Sequence, residues 1–331
     1  MEDNKTYKAF THLIDIVDKI NANPELKKIQ EEEYEFMLQD RIAKIKAINE
    51  QFNLLDNAYI SFSGGKDSVV LSHLIDMALP NNKIPRVYAN TGIEYNDMVK
   101  YVKSRAKEDD RFIIVNQNKK IHQTLEQYGY PFKSKEFSLR VDQFNKGSNA
   151  KFIEKYLNPQ TFSKFKCPEC LRYIFNERGK YNYSNQCCYK LKKALLHTWQ
   201  KENNRKMAIT GMRNEEGGNR ERLSCITNNG KMFHPLIVVS EEWESEFIKR
   251  NNIQLCKLYY EPYNFERTGC KGCPYSLQLQ KNLEHIYIYM PNEYKQIIHL
   301  WKPVYDEYIR IGYRLKEYPH KKGVQLSIDD L

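Results

Sequence analysis

The sequence predicts an α/β protein: a parallel twisted sheet with helices on both faces. Three observations carry this. An apolar run, Ala58–Phe62, meets a glycine turn and then a helical pattern. From there to about residue 128 strand-like and helix-like segments alternate. After a long interruption a further strand pattern returns at Met207-Ala208-Ile209-Thr210-Gly211. A β-α-β-α order folds into parallel strands with crossover helices.

Residues 6–52 read as helices. Phe10, Leu13, Ile14 and Val17 make one apolar face, and after Asn23-Pro24 a longer stretch runs to about Phe52 with Tyr34, Leu38, Ile42, Ile45 and Ile48 at helical spacing. The strand at 58–62 precedes a helix whose apolar face is Val69, Val70, Leu71, Leu74, Ile75 and Ala78, with Pro80 ending the run. Strand 85–90 ends at Thr91-Gly92-Ile93-Glu94 and is followed by a helix near 95–107. Strand 111–116 precedes a helix near 119–128. Residues 130–206 read as a helical insertion that carries four of the cysteines, and 275–314 as helices again. Domain boundaries follow: a helical extension over 1–54, one domain over 55–320 with the insertion, and a polar tail over 321–331.

The 331 residues suffice for one large or two modest domains, and the net charge of +10 is compatible with nucleic acid, anionic nucleotides or an acidic partner protein. Mean hydropathy is −0.73. No apolar run reaches membrane-span length, and Met1-Glu2-Asp3-Asn4-Lys5 is not a signal peptide, so no membrane partner and a cytoplasmic location are expected. There the eight cysteines would be reduced. None precedes Cys167. They cluster as Cys167-x-x-Cys170, Cys187-Cys188 and Cys270-x-x-Cys273, while Cys225 and Cys256 stand alone and read as small buried hydrophobes.

The chemistry centres on Ser63-Gly64-Gly65-Lys66-Asp67-Ser68. Two glycines allow a tight turn and close approach of a ligand, the first amides of the helix point outward with the dipole's positive end, and Lys66 adds a charge. This is a phosphate cradle, but its spacing is not that of a Walker loop. The other two polar loops expected at the carboxyl ends of strands, where such sheets bind ligands, are 91–94 and 211–220.

The pattern S-G-G-K-D-S resembles the PP-loop of the ATP pyrophosphatases (adenine nucleotide alpha hydrolase-like). Thr91-Gly92 with Glu94 is similar to the T-G loop of that family. Thr210-Gly211-Met212-Arg213, followed by Glu216 and Arg220, is similar to an element of the phosphoadenosine phosphosulfate (PAPS) reductase relatives, with Gly217 where serine is usual. His234-Pro235-Leu236 and Pro131-Phe132-Lys133 are softer matches, and His234, Pro235 and Trp243 read most simply as packing residues.

The resemblance implies ATP and Mg²⁺ at the strand ends. Ser63, Gly64, Gly65 and Ser68 would hold pyrophosphate, Lys66 would neutralise it, and Asp67 would orient the metal. Thr91, Gly92, Glu94 and Gly211 would line the nucleotide, and Arg213 and Arg220 would clamp phosphate or substrate. The pair Cys187-Cys188 with Cys270-x-x-Cys273 resembles the adenylyl-sulfate reductase branch and the related DNA-phosphorothioation enzymes, which implies one [4Fe–4S] cluster on Cys187, Cys188, Cys270 and Cys273. Adjacent cysteines strain a single tetrahedral site, which favours iron–sulfur over zinc; zinc, with or without Cys167 and Cys170, stays open.

The expected function is adenylation of a substrate with release of pyrophosphate, coupled to sulfur transfer. The partners would be a nucleic acid, a sulfur donor or another protein. Reduction of adenylyl sulfate is the alternative; with no cysteine after Cys273 to act as the nucleophile of the sulfate-assimilating reductases, it would need an external thiol donor. A nucleotide-sensing regulatory or defence module without turnover is the third reading.

Overall fold

The computed structural model describes residues 24–158, 160, 166–216 and 221–319. The helix expected over 6–22, Arg220 and the tail 321–331 lie outside the described residues. The described residues fall into two compact units. One holds residues up to Ala58, Val70–Ile84 and Met207–Ile253; the other holds Tyr59–Val69, Pro85–Lys206 and the chain from Gln254. The six strands are mainly parallel, in the order β3-β2-β1 and β4-β6-β5.

In the first unit, α1 (Pro24–Phe52) buries Tyr34, Leu38, Arg41, Ile45 and Ile48, a stripe spaced by three, four and seven residues. A four-residue helix, α2 (Leu54–Asn57), leads on to the first strand. The strand expected at 207–211 is shorter, β4 (Met207–Ile209), and pairs in parallel with β6 (Met232–Phe233). β5 (Ile226–Thr227) is antiparallel to β6. Neither two-residue strand is long enough to leave a periodicity in the sequence. The helix α9 (Glu241–Arg250) starts at Ser240, whose hydroxyl accepts from Trp243 N–H at 3.1 Å. The Trp243 ring stacks on Tyr34 at 5.4 Å, and its Nε1–H donates to the Tyr34 carbonyl. Trp243 is therefore the packing residue expected.

The second unit carries β1 (Ala58–Phe62), β2 (Arg86–Asn90) and β3 (Phe112–Asn116), all parallel, with Ile60 opposite Arg86 and Arg86 opposite Phe112. β1 and β2 are buried along almost their whole length, as strands of a covered parallel sheet must be. Helices follow the strands in turn: α3 (Lys66–Ala78), whose residues from Val70 onward belong to the first unit, then α4 (Asn96–Glu108) and α5 (Ile121–Tyr128). α4 and α5 lie within two residues of their expected bounds at both ends.

The insertion is helical, with α6 (Lys135–Asn145), α7 (Ala150–Leu157), a 3₁₀ segment at Glu169–Phe175, a π-helical turn at Tyr189–Lys193 and α8 (Ala194–Glu202). A bridge between Tyr130 and Tyr183 stitches its return strand to its start. Gly129 there has φ +94°, and any Cβ would stand 2.8 Å from Ser184 Oγ, so glycine is required. The chain closes with α10 (Leu279–Tyr289) and α11 (Pro291–Arg310), which buries Ile297, Trp301, Val304, Tyr305 and Tyr308. Among the described residues no helix is long and apolar enough to cross a membrane.

Candidate functional site

The loop between β1 and α3 is held open by its own hydroxyls. Ser68 Oγ donates to the Gly65 carbonyl at 2.8 Å and accepts from Ser63 N–H at 3.2 Å. Ser63 Oγ in turn accepts from Gly65 N–H at 3.2 Å. Gly64 sits at φ +77°, and a Cβ on it would meet Met98 Sδ at 2.3 Å. A Cβ on Gly65 would lie 3.3 Å from both Ser63 Oγ and Tyr259 Oη. The two glycines therefore let the backbone turn tightly at a helix start, where the hydroxyls on the Ser63, Gly65 and Lys66 amides stand in positions that an oxyanion's oxygens could take over.

Two residues absent from the sequence reading complete this loop. Tyr259 Oη accepts from Lys66 N–H at 3.1 Å and shares a hydrogen bond of 2.8 Å with Thr268 Oγ1. Burial holds the Tyr259 phenol above its ordinary pKa, so it stays a neutral hydroxyl. Thr268 stands two residues before Cys270, the one local signal that could have drawn attention to it.

Beside the loop, Glu94 folds back on its own turn. Its carboxylate accepts from Thr91 N–H at 3.0 Å and from Thr91 Oγ1 at 3.0 and 3.1 Å, with both residues buried. Gly92, at φ +81°, makes the reversal possible. Lys192 Nζ reaches Glu94 Oε1 at 3.1 Å. Burial alone would push the Lys192 ammonium down, but Cys270 and Glu94 beside it carry it above the ordinary range. The Tyr88 hydroxyl is buried with no hydrogen-bond partner, and its pKa is raised by burial and then by Glu94. An orphaned hydroxyl at this depth suits a bound ligand that would satisfy it.

The four cysteines expected as ligands belong to this unit. Cys187 is buried, and Cys188, Cys270 and Cys273 are half-buried. Cys187 Sγ donates to Cys188 Sγ at 3.9 Å. That contact, helped by Lys135, Lys192 and Lys193, favours the thiolate of Cys188 and disfavours that of Cys187. Burial pushes the Cys273 thiol up to about 12, and Cys270 and Cys188 add to it. Burial also raises Cys270, against the pull of Lys192.

Among the described residues no group of three or more Cys, His, Asp or Glu is close enough to hold one metal ion. A tetrahedral zinc needs all its sulfurs about 3.8 Å apart, from Zn–S bonds of about 2.3 Å. A donor set of four thiols, two of them adjacent in the chain, suits an iron–sulfur cluster by its chemistry. Cys167 is buried, with its thiol raised to about 11 chiefly by burial, and Cys170 is exposed. Cys256 is buried as expected, whereas Cys225 is only half-buried.

The C-x-x-C loop is gripped by the C-terminal helix. Trp301 Nε1–H donates to the Lys271 carbonyl at 3.0 Å, Tyr305 Oη to that of Gly272, and Tyr308 Oη to that of Pro274 at 3.0 Å. Gly272 has φ +62°, and a Cβ there would strike Ile297 at 2.3 Å. Lys271 N–H donates to the Ile93 carbonyl at 2.9 Å, tying this loop to the Thr91–Glu94 turn.

Arg213 and Gly211 lie in the other unit. The Arg213 guanidinium is fully buried, with Glu215 at 3.3 Å, Glu244 at 3.5 Å and Glu241 at 3.7 Å. His234 is held on both ring nitrogens, by Thr210 at 2.7 Å and Thr227 at 3.0 Å, and its burial lowers its pKa. That is a neutral structural histidine.

A glycine cradle at a strand–helix junction, with a thiol cluster in the same unit, defines a nucleotide-phosphate-binding type of α/β protein. The chain belongs to the phosphoadenosine phosphosulfate reductase domain family, whose model matches residues 57–163 and 152–276. An uncharacterized protein of Methanocaldococcus jannaschii is 23% identical over 320 residues, covering 92% of this chain; the chain spans 65% of that relative's length. A phosphoadenylyl-sulfate reductase from Candida auris, solved with phosphate, is similar at 11% identity and TM-score 0.41, covering 69% of this chain and 88% of that one. A U34-tRNA thiolase from Methanococcus maripaludis, solved with its [4Fe–4S] cluster, is similar at 15% identity and TM-score 0.38, covering 81% and 80%. At these scores neither likeness carries functional weight.

Proposed function

We propose that the chain is an ATP pyrophosphatase that adenylates an acceptor and passes it on to sulfur transfer. The observation that carries the reading is the glycine loop at Ser63–Ser68 standing in one unit with the touching pair Cys187 and Cys188 and the Cys270-x-x-Cys273 loop. An acceptor oxygen would attack the α-phosphorus of ATP, the bond to the β-phosphate would break, and pyrophosphate would leave. The amides from Ser63 to Lys66, exchanging their hydroxyl partners for phosphate oxygens, and the Ser63 and Ser68 hydroxyls would hold the leaving pyrophosphate, and Lys66 would neutralise its charge. Asp67 would hold Mg²⁺. Thr91, Gly92 and Glu94 would form the wall beside the nucleotide, with Lys192 fixing the Glu94 carboxylate.

Cys187, Cys188, Cys270 and Cys273 would hold a [4Fe–4S] cluster, or zinc as the alternative, and the cluster when bound would hold or deliver the sulfur that replaces the activated oxygen. That sulfur comes from an external donor, and AMP departs. Arg213, gripped by three glutamates, serves on this reading to order the 210–216 loop. A phosphate clamp would require it to leave them.

Family membership favours one second reading, reduction of a sulfonucleotide by an external thiol. The deciding experiment is pyrophosphate release from ATP by anaerobically purified protein, wild type against Lys66→Ala, with iron and sulfide assayed on the same sample. Release that depends on Lys66, with about four irons per chain, supports adenylation. Iron without release moves the assignment to the reductase, and zinc in place of iron removes the cluster.

A further inference from the structure

A cavity of about 420 Å³ opens beside Cys188, lined by Lys135, Asn185, Gln186, Cys188, Tyr189 and Lys193. Its size is that of a small-ligand site, which typically spans roughly 300–1,000 Å³. Its lining is not that of an apolar pocket. Lys135 and Lys193 bring two ammonium groups. Asn185 and Gln186 bring two amides, each able to donate and to accept. The Tyr189 ring is the one large flat apolar surface, and it is 46% exposed.

Tyr189 and Lys193 are the two ends of the π-helical turn, four residues apart, so both serve one cavity wall. Insertions of this kind often mark functional sites. Lys190, between them, lies over the Tyr128 ring at 4.3 Å and within 5.9 Å of the Tyr189 ring. The His197 ring stands edge-on to Tyr189 at 6.3 Å. Cations and a stacking face are therefore concentrated around one thiol of the sulfur centre.

We infer that this cavity takes one unstacked base of a single-stranded nucleic acid, presenting it to the sulfur centre as the acceptor. An exposed tyrosine face stacks on any base, amide side chains match the hydrogen-bonding edges of bases, and lysines meet the flanking phosphates as point charges. A polymer suits the open rim, the added cation of Lys190 and the net charge of +10 better than a free nucleotide does. A duplex does not fit, because a paired base cannot reach the thiol without leaving its stack. This inference rests on the proposed role of Cys188 in the sulfur centre.

The test is fluorescence anisotropy of the anaerobically purified full chain with a labelled short single-stranded RNA, the single-stranded DNA of the same sequence, and their duplexes, with AMP as competitor. At least one single strand should bind tenfold or more tightly than the duplexes, and the tighter of RNA and DNA names the source of the base. Tyr189→Ala should weaken that binding by about tenfold or more, as loss of one stacked base does, while Tyr189→Phe should retain it. Lys135→Gln with Lys193→Gln should reduce the slope of log affinity against log salt by about 1.4, at roughly 0.7 per phosphate contact on a single strand.

Equal binding of duplex and single strand, no loss in Tyr189→Ala, or AMP competing as well as the strand itself would each overturn the inference. The Lys66→Ala variant separates the two readings, since it should lose pyrophosphate release and still bind the strand. Tyr189-dependent binding by a wild-type chain that releases no pyrophosphate leaves this site standing and removes the adenylation. Pyrophosphate release with binding indifferent to Tyr189 does the reverse.

Discussion

Replacing the two loop glycines one at a time separates shape from chemistry. Gly64 has a left-handed backbone, which costs any other residue about 1–2 kcal/mol. Its new methyl would also lie 2.3 Å from Met98 Sδ and 3.1 Å from Val102 Cγ2. Met98 is buried but flexible, so part of that clash relaxes, leaving about 1 kcal/mol of overpacking. Alanine returns about 0.4–1 kcal/mol by restricting the unfolded chain. Gly64→Ala should therefore destabilise by about 1–3 kcal/mol, which moves the urea midpoint by on the order of 1 M.

Gly65 carries no left-handed penalty, and its methyl would stand 3.3 Å from Ser63 Oγ and Tyr259 Oη. That distance is tight but tolerable, and Gly65→Ala should stay within about 1 kcal/mol of wild type. The methyl nonetheless intrudes among the groups that face the phosphate. Affinity for ATP, measured by calorimetry, should fall by about tenfold, equivalent to about 1.4 kcal/mol. Equal losses of stability in the two variants would refute this division of roles, and so would a Gly64→Ala protein unfolding at the wild-type midpoint.

Three further outcomes follow from the same geometry. Tyr259→Phe removes the acceptor for Lys66 N–H; the unliganded protein should lose about 1–3 kcal/mol, and ATP should raise its melting temperature by more than it raises that of wild type, because a phosphate oxygen replaces the lost hydroxyl. Gly272→Ala should cut metal retained after anaerobic gel filtration at least severalfold, since its methyl would displace Ile297 or Tyr305; metal content equal to wild type would contradict the packing described. Asp109 is hydrogen-bonded by Arg111 at 2.7–3.1 Å, which holds its carboxyl below the usual range. A depressed carboxylate stabilises the fold above its unfolded pKa of about 3.9, and that stability goes as pH falls through the lower folded value. Asp109→Asn should therefore be less stable at pH 7 and show a shallower loss below pH of about 4 in a denaturation series.

The β-α-β-α core could be read from residues 58–128 because each strand is a mostly apolar run of five residues and each helix has one apolar face. The strands β5 and β6 could not, since two residues carry no period and their pairing is decided by partners elsewhere in the chain. The phosphate loop was visible in six consecutive residues. Tyr259 and Thr268 were not, because they meet Lys66 and Gly65 across some 190 residues, and an isolated Leu-Tyr-Tyr has no local feature that sets its middle hydroxyl apart. In the sequence, the tyrosines of 275–314 look like packing residues of a helix. Their rings do pack, yet the hydroxyls of Tyr305 and Tyr308 also serve carbonyls of the cysteine loop. Side-chain composition reports burial well and hydrogen-bond destination poorly.

That capture of carbonyls bears on how the centre is matured. Trp301, Tyr305 and Tyr308, with Arg314 adding a second bond to Pro274, fix the loop between Cys270 and Cys273 through backbone oxygens alone. None of these bonds passes through a thiol. A zinc finger, by contrast, acquires its shape only when its ion arrives. Here the fold's own hydrogen bonds tie the cysteine loop, so a centre held there on the proposed reading could be reinstalled by a delivery system without refolding the chain.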